Sequence, residues 1–447
     1  MSLKKSVLAA VALSIAFTGV VSAESLTNAL AKAYTNNPAM AAALISVKLA
    51  SEDIVLRKSG KRPQVNLSAT TQYSWADLGG THTDSGSTSL NLQYNQRLFD
   101  GLKTDAQVDQ ARAYVDAATQ GLRNTEQNVL LSAATAYMDV VRDTNLASLR
   151  ADNVKFLRAQ VSSAKNRLNI GEGTKIDVAQ AEARLAQAVA AYKSSINSLR
   201  ASQASYVRWM GVKPSGLNSN FKFGKILPRS LSEALVSAKA NHPAIQTAVA
   251  QVEAAKYGTD AAMRAFGPTL DLIGSICAVD CGGGPSARGT SGSIRLTLSV
   301  PIYQGGSLGA SARKANLAQI NAEVDALGTV AQVEESVISA WSGLQSSIAL
   351  IESANASVRS SQIALDGVIE ERNVGQRTTL DVLNARAELT SSNEALYTAQ
   401  RNKIVAAFSL VSAAGKLDAA SLQLPVSIKS ADGYRTRVED IWAELRE

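Results

Sequence analysis

Residues 305–309 form the stretch of this 447-residue chain whose types and spacing match a catalytic motif. Gly305-Gly-Ser307-Leu-Gly309 has the spacing of a nucleophile elbow, which exposes a serine for acyl transfer and requires a histidine later in the chain. The two histidines of the sequence, His82 and His242, both precede Ser307. The stretch is therefore predicted to be a Gly/Ser linker, and no enzyme activity is expected.

Cys277 and Cys281 are the only cysteines. In an oxidising compartment, two cysteines at this spacing predict a disulfide that closes a small loop. A metal site is the weaker alternative, because nothing nearby supplies two more soft ligands. Since neither histidine has metal-ligand neighbours, we expect no metal site and no cofactor.

A different signal is a motif that occurs twice, as NIGEGTKIDVA at 169–179 and as NVGQRTTLDVL at 373–383. Gly171 and Gly375 suit the position just after a helix end, where positive φ is readily adopted only by glycine. The threonine and aspartate of each copy have the spacing of a capping box: Thr174 with Asp177, and Thr378 with Asp381. Each motif therefore predicts a tight turn between two helices.

The repeat extends over most of the chain. SLTNAL at 25–30 reappears as SLSEAL at 230–235, and Phe99-Asp-Gly101 aligns with Tyr303-Gln-Gly305. A period of about two hundred residues is a tandem duplication, far longer than a solenoid repeat. The predicted division is a signal peptide at 1–23, repeats at 24–229 and 230–417, and a carboxyl-terminal segment at 418–447.

Hydrophobic periodicity predicts the same order of helices and strands in each repeat. From Val65 to Trp75, apolar and polar residues alternate, which predicts a strand with one apolar face. The predicted strands are 63–76, 89–99, 268–277 and 292–302, with a loop at 79–89. The predicted helices are an unbroken one at 25–59 and two long hairpins at 102–211 and 306–415. The heptad spacing within 174–210 favours coiled-coil packing.

The first residues predict export. Lys4 and Lys5 precede an apolar run, and small residues end it just before Glu24, the predicted first residue of the mature chain. No later apolar run approaches the roughly 20 residues of a membrane-spanning helix. The formal net charge of +7 is spread along helical stretches without a basic tract, so nucleic-acid binding is not expected.

The strands suit either a membrane barrel or a soluble sheet. Their length approaches that of a tilted strand crossing an outer membrane, and their polar alternates suit a wet interior. Four strands cannot close a barrel alone, because lipid does not tolerate open edges. Three chains would supply twelve strands and four would supply sixteen. The alternative is an exported, non-conducting coiled-coil scaffold.

Several motifs, in this order, resemble those of the TolC-type outer-membrane efflux and secretion channels: Asn37-Pro38, Pro63-Gln-Val65, Leu98-Phe-Asp-Gly101 and the two tips followed by Asp177-Val178 and Asp381-Val-Leu383. The resemblance implies an α+β membrane protein, a homotrimer with one twelve-stranded barrel in the outer membrane of a Gram-negative bacterium. A long periplasmic α-helical coiled-coil barrel continues it. Segments 212–229 and 418–447 would form a mixed equatorial belt.

The same resemblance implies a function. Such channels are exits of tripartite efflux pumps and of type I secretion systems, passing drugs, detergents or unfolded proteins. They receive substrate from an inner-membrane RND or ABC transporter through a periplasmic adaptor, the membrane fusion protein. A stand-alone porin is the alternative within the channel interpretation, but it does not explain long helices with adaptor-like tips.

The resemblance also assigns roles at the tips. The adaptor-docking positions fall on Ile170, Gly171, Val374 and Gly375. The periplasmic gate falls on the family's arginine and acidic-ring positions: Arg377, Asp381 and Asn384, the last in place of a second ring aspartate.

One further gate position departs from the family pattern. Arg372 stands where the familiar gate has a tyrosine, and we expect it to pair with an acid such as Asp177. Helix capping is the structural alternative for both Asp177 and Asp381.

Overall fold

A computed structural model describes residues 24–218, 221, 223–224, 226–282 and 288–442 of the chain, and the predicted signal peptide at 1–23 lies outside them. The elements of the first repeat are α1 Leu26–Asn36, α2 Pro38–Lys58, β1 Gln64–Leu78, β2 Thr81–Phe99, α3 Lys103–Asn169 and α4 Lys175–Met210. The elements of the second are α5 Leu231–Asn241, α6 Pro243–Arg264, β3 Thr269–Gly282, β4 Arg288–Ser299, α7 Ser307–Asn373 and α8 Thr379–Ala413. A short helix, α9 Asp432–Val438, follows.

The prediction of one unbroken helix at 25–59 is wrong, because Asn37-Pro38 separates α1 from α2. Asn37 has extended backbone, and its side chain accepts a hydrogen bond from the Ala39 N–H at 2.9 Å. Pro38 follows as the first residue of α2, where its missing N–H costs nothing. The second repeat breaks in the same way at His242, whose Nδ1 caps α6.

The four strands form one antiparallel sheet in the order β1-β2-β3-β4. The predicted loop at 79–89 is wrong, because β1 and β2 continue to a two-residue turn at Gly79 and Gly80, both with positive φ. Two-residue turns of this kind match the twist of the strands they join. The 15-residue β1 and the 19-residue β2 are therefore longer than predicted.

The other two strands also differ from the predicted bounds. The third strand continues from Thr269 to Gly282, past the expected end at 277. The fourth lies at Arg288–Ser299 instead of 292–302. It ends before Pro301, which has no N–H to donate to a ladder.

The strand register places apolar side chains from all four strands on one face. Leu67 pairs with Leu92, Leu92 with Ile276, and Gly274 with Ile294. These side chains are exposed in the protomer, Ile294 to 85%. The alternating residues of β1, such as Asn66 and Ser68, give the opposite face its polar character. The sheet thus has one apolar and one polar face, and β1 and β4 are its outer strands.

The predicted disulfide between Cys277 and Cys281 is wrong. Both residues lie in β3, four positions apart. At about 3.3 Å per residue this places their Cα atoms about 13 Å apart, whereas a disulfide joins Cα atoms that are about 4.4–6.8 Å apart. Cys277 is a free thiol. The side chain of Cys281 lies outside the described part of the chain.

The elbow-like stretch lies at the junction between β4 and α7. Gly305 and Gly306 both have positive φ and precede the helix, whereas Ser307 is the first residue of α7. The Gly/Ser linker prediction therefore fits the two glycines alone, because residues 307–309 are helical.

The two longest helices, α3 and α7, each have 67 residues, or about 100 Å at 1.5 Å per residue. Their return partners are α4 and α8, and heptad residues of α4 such as Leu185 and Val189 pack against a buried cluster that includes Leu157 of α3. None of the helices in the described ranges is both long and apolar enough to cross a bilayer.

The main hydrophobic core lies where the shorter helices meet the hairpins. Tyr34, Tyr137, Tyr206 and Phe408 are fully buried there. The described parts of the two predicted belt segments join this core through Leu217, Phe221, Phe223, Leu422 and Leu424.

Candidate functional site

Both hairpins turn through the same backbone motif at the end farthest from the sheet. Gly171 has φ +81°, and its N–H donates to Leu168 O at 3.1 Å while the Glu172 N–H donates to Arg167 O at 2.8 Å. At the second tip, Gly375 has φ +82°, and the matching bonds run from Gly375 N to Arg372 O and from Gln376 N to Glu371 O. This is the Schellman motif, and the prediction for both glycines is confirmed.

The return helices begin with the predicted capping boxes. The Thr174 hydroxyl accepts from the Asp177 N–H at 3.1 Å, and Asp177 Oδ2 accepts from the Thr174 N–H at 3.0 Å. Thr378 and Asp381 repeat this at 3.3 and 2.9 Å. These hydrogen bonds hold the pKa of each aspartate below its ordinary value. Each carboxylate is therefore occupied as a helix cap.

The tips differ in the bond that closes the turn. At the first tip, the Gly173 N–H donates to Arg167 O at 3.1 Å. The equivalent positions of the second tip are Arg377 and Glu371, and there the closing bond is an ion pair between Arg377 Nε and Glu371 Oε2 at 2.6 Å. Both charged side chains are about half exposed. A backbone bond at one tip is thus replaced by a side-chain bond at the other.

Apolar side chains stand exposed at both turns. Ile170 is 69% exposed and Val374 is 72% exposed, each directly before the turn glycine. Ile176 and Leu380, in the first turns of the return helices, are exposed as well. Each tip therefore presents a small apolar surface around a polar turn.

Arg372 and Asn384 contact the first hairpin. Arg372 Nη1 donates to Gln160 Oε1 at 2.9 Å, so within the protomer its partner is an amide of α3 rather than the expected Asp177, whose carboxylate is held by its cap. Asn384 Oδ1 accepts from Arg184 Nη2 at 3.1 Å. Both gate candidates thus connect α7 or α8 to the first hairpin.

Sequence reasoning missed three partners of the gate candidates: Gln160, Arg184 and Glu371. A comparison of the repeats could have found Glu371. It stands at the position that is Arg167 in the first repeat, and its partner Arg377 stands at the position that is Gly173. Nothing in the sequence indicates Gln160 and Arg184, since their role depends on how hairpins that are distant in sequence pack together.

Farther from the tips, arginines continue the contact between the hairpins. Arg386 donates to Asn153 Oδ1 and lies 4.8 Å from the centre of the Phe156 ring. Closer to the main core the partners become carboxylates: Arg150 with Glu394 at 2.7 Å and Arg401 with Asp139 at 2.9 Å. The seam between the hairpins is therefore ionic near the core and held by amides and a ring near the tips.

Comparison with known proteins assigns this architecture to a family. The family model described as outer membrane efflux protein matches residues 29–211 and 234–416, one segment in each repeat. The outer membrane efflux protein BepC of Brucella suis biovar 1 is 38% identical over 427 residues, covering 95% of this chain and 92% of that protein. The outer membrane protein TolC of Escherichia coli K12 is 27% identical over 424 residues, covering 90% and 84%.

A solved structure gives the same fold. The CmeC outer membrane channel of Campylobacter jejuni superposes with a TM-score of 0.78 at 15% identity, covering 93% of this chain and 89% of that one. The four strands and the long hairpins are thus a protomer's share of a barrel and a helical tunnel. The chain belongs to the outer membrane efflux protein family and is an exit channel of the outer membrane.

Proposed function

We propose that three copies of this chain form the exit duct of a tripartite export machine. The observation that carries the proposal is the four-stranded sheet, which exposes an apolar face and leaves β1 and β4 as outer strands. A sheet in lipid must close. Pairing β1 of one copy with β4 of the next would bring twelve strands together, with the apolar face toward lipid and the polar face toward the lumen.

Three copies would place six hairpin tips around the periplasmic entrance. The exposed Ile170 and Val374, beside Gly171 and Gly375, are proposed as seats for a periplasmic adaptor, which would link the duct to an inner-membrane RND or ABC transporter. Apolar side chains next to a fixed turn suit docking, because little side-chain or backbone freedom remains to be lost.

The second tip is proposed as the gate. Arg372, Arg377, Asp381 and Asn384 would narrow the entrance, with Asp177 beside them on the first hairpin. One acidic ring instead of two follows from Asn384, so block by cations at the mouth should be weak.

Opening would separate the hairpins where their contacts join an arginine to an uncharged amide. A hydrogen bond such as Arg184–Asn384, with one charged partner, contributes less than an arginine–carboxylate pair, in which both partners are charged. The ionic contacts of Arg150 and Arg401 would hold the core end while the tips move apart.

The test of the duct is deletion of the gene, with complementation by the wild-type chain. We expect the deletion to increase susceptibility to drugs and detergents, to reduce type I secretion, or both, and the tagged protein to fractionate as an outer-membrane trimer. Unchanged susceptibility together with unchanged secretion would remove the proposal, and a monomer without membrane association would favour the scaffold.

The gate has its own test. Arg372→Glu reverses a charge that faces Gln160, and Arg372→Gln removes it. We expect both to raise single-channel conductance and antibiotic leakage, the reversal more strongly. If both variants match the wild type, Arg372 has no part in the gate, while the duct itself still stands.

A further inference from the structure

Glu24, the predicted first residue of the mature chain, is buried in the structure. It is 7% exposed, its backbone N–H donates to Gly216 O at 2.9 Å, and its carbonyl accepts from Tyr137 Oη at 2.6 Å. Its backbone also forms a parallel bridge with Leu217. A chain terminus is usually loose unless it is tied down, so these contacts fix the residue into the core that joins the repeats.

The surroundings of Glu24 contain hydrogen-bonding capacity that the described part of the chain leaves unused. Glu24 Oε1 pairs with Lys32 Nζ at 2.6 Å, but Oε2 is buried and has no hydrogen-bond partner there. Tyr206 Oη, whose residue is fully buried, accepts no hydrogen bond there either. Burial raises the pKa of Tyr206 most, and the neighbouring Glu24 carboxylate raises it further, by its charge and as a hydrogen-bond acceptor for the tyrosine O–H.

Unused buried polar atoms are uncommon in native proteins and call for a partner. An internal peptide nitrogen at Glu24 carries one hydrogen, and Gly216 O already accepts it. Cleavage after Ala23 would convert that nitrogen into an ammonium group, which carries three hydrogens and a positive charge at neutral pH. Two additional donors would then be available to the acceptors on Glu24 and Tyr206 that still have free lone pairs.

We propose that the α-ammonium group of the processed chain is the missing hydrogen-bond donor of this pocket, which is formed by Gly216 O, Glu24 Oε2 and Tyr206 Oη. The ammonium group donates to all three oxygens. Leader removal then does more than release the chain. It creates the group that completes the core joining α1, α3 and α4, so only the processed chain reaches full stability. This proposal concerns maturation and does not depend on what the channel transports.

The charge balance supports an ammonium group here. Glu24 and Lys32 form an ion pair in which the lysine is 42% exposed and the glutamate almost entirely buried. The buried carboxylate therefore has one cation on its exposed side and an unfilled oxygen on its buried side. A buried charge is tolerated when it is paired and hydrogen-bonded, which a second cation at Oε2 provides.

The experiment moves the ammonium away from the pocket. Gly-Ser-Gly inserted between Ala23 and Glu24 preserves the processing site but leaves Glu24 with an amide nitrogen. We expect the thermal unfolding midpoint of the purified full-length protein in detergent to fall by about 2–4 °C. The matched control carries the same insertion between Gly79 and Gly80, in an open turn, and should retain the wild-type midpoint.

Tyr206→Phe tests whether the insertion lowers the midpoint by removing a hydrogen bond or only by crowding. With the native terminus, removal of Tyr206 Oη should lower the midpoint. In the extended chain the substitution should leave it unchanged or raise it. An equal fall of the midpoint in the native and the extended chain would mean that Tyr206 bonds Glu24 Oε2 alone, and the proposal would be wrong. A single inserted glycine replaces the longer insertion if that chain fails to assemble.

Two direct measurements complete the test. Mass spectrometry of the purified protein should give Glu24 as the first residue, and another terminus would overturn the proposal. Acetylation with an amine-reactive ester should modify the Glu24 α-amine only after unfolding. Modification of the folded protein as fast as the unfolded one would also overturn it.

Discussion

The two hairpin tips share a turn and differ in how that turn is closed. Gly171 and Gly375 adopt nearly the same φ, and both return helices begin with a threonine-aspartate capping box. The closing bond runs from the Gly173 N–H to Arg167 O at the first tip, and from the Arg377 guanidinium to the Glu371 carboxylate at the second. Duplication kept the turn and changed the pair of positions that closes it.

The features that the two tips share are those that any turn between long helices requires. The feature in which they differ is available to a gate. The glycine and the capping box satisfy backbone groups that any helix end leaves open. Gly173 cannot be exchanged as freely as its counterpart, because a Cβ there would meet Leu168 N at 3.1 Å. The second tip has a side chain at that position, and this side chain carries a charge.

Substitution of the turn glycines should have the largest effect, and an equal one at the two tips. Within the described ranges, no atom apart from those of the glycine and its chain neighbours lies within 4 Å of a Cβ added at Gly171 or Gly375, so the cost of Gly→Ala is conformational, about 1–2 kcal/mol for a left-handed residue. Hydrogen–deuterium exchange should show faster exchange at the substituted tip alone. Gly→Asn is the control and should lose less, because asparagine tolerates this conformation. A loss confined to one tip would contradict the shared turn.

Removal of the caps should cost somewhat less, again equally. Thr174→Ala and Thr378→Ala each remove a hydroxyl that accepts from the N–H of the third helical residue, which contributes about 0.5–2 kcal/mol. Exchange should increase in the first turn of α4 or of α8, respectively, while Thr→Ser at either position should match the wild type. Insensitivity at Thr378 alone would mean that the second tip is held by Arg377 rather than by its cap.

The sequence was sufficient for these shared features because they are local. A glycine after a helix and a threonine three residues before an aspartate specify their geometry within a few positions. The break at Asn37-Pro38 is equally local, because proline at a first helical position is itself a start signal, yet the composition of residues 25–59 predicts a continuous helix.

Features that depend on distant pairing could not be predicted. Residues 81–89 have the composition of a loop, yet they form a strand because β1 offers a full ladder opposite them. That extension of the sheet also places Cys281 within β3 and removes the expected loop disulfide. Likewise, Arg184 reaches Asn384 across 200 positions of sequence, through a helix packing that no local pattern encodes.

The ion pair at the second tip should have a smaller effect that is confined to one tip. Arg377→Gln and Glu371→Gln each break the closing bond between half-exposed side chains, so we expect a modest and equal rise in uptake of large antibiotics and in single-channel conductance. The double variant should add nothing, since both substitutions remove the same bond. Arg167→Gln, at the equivalent position of the first tip, is the control and should leave both readouts unchanged.

Acidification from pH 7 to pH 5 should have the smallest effect of these changes, because we expect the conformation of both tips to stay the same. Because hydrogen bonds lower the pKa of Asp177 and Asp381 in the folded protein, their stabilisation is present above the ordinary aspartate value of about 4 and is lost only as pH falls through the lowered values. Spin labels at Glu172 and Gln376, in a chain with both cysteines replaced by serine, should report constant distances by electron paramagnetic resonance down to pH 5.

The buried Glu126 provides a positive control for the constant tip distances, because it should titrate in the same pH range. Burial is the main cause that raises its pKa to about 7, while its carboxylate accepts from the Ala419 N–H at 2.6 Å. The folded state binds the extra proton between the ordinary glutamate value and 7, so stability should rise as pH falls from 7 to 5. The thermal midpoint of the wild type should rise accordingly, and Glu126→Gln should flatten that rise without changing the tip distances. Tip distances that change above pH 5 in both proteins would mean that the carboxylates at the tips do not serve as caps in the assembled channel.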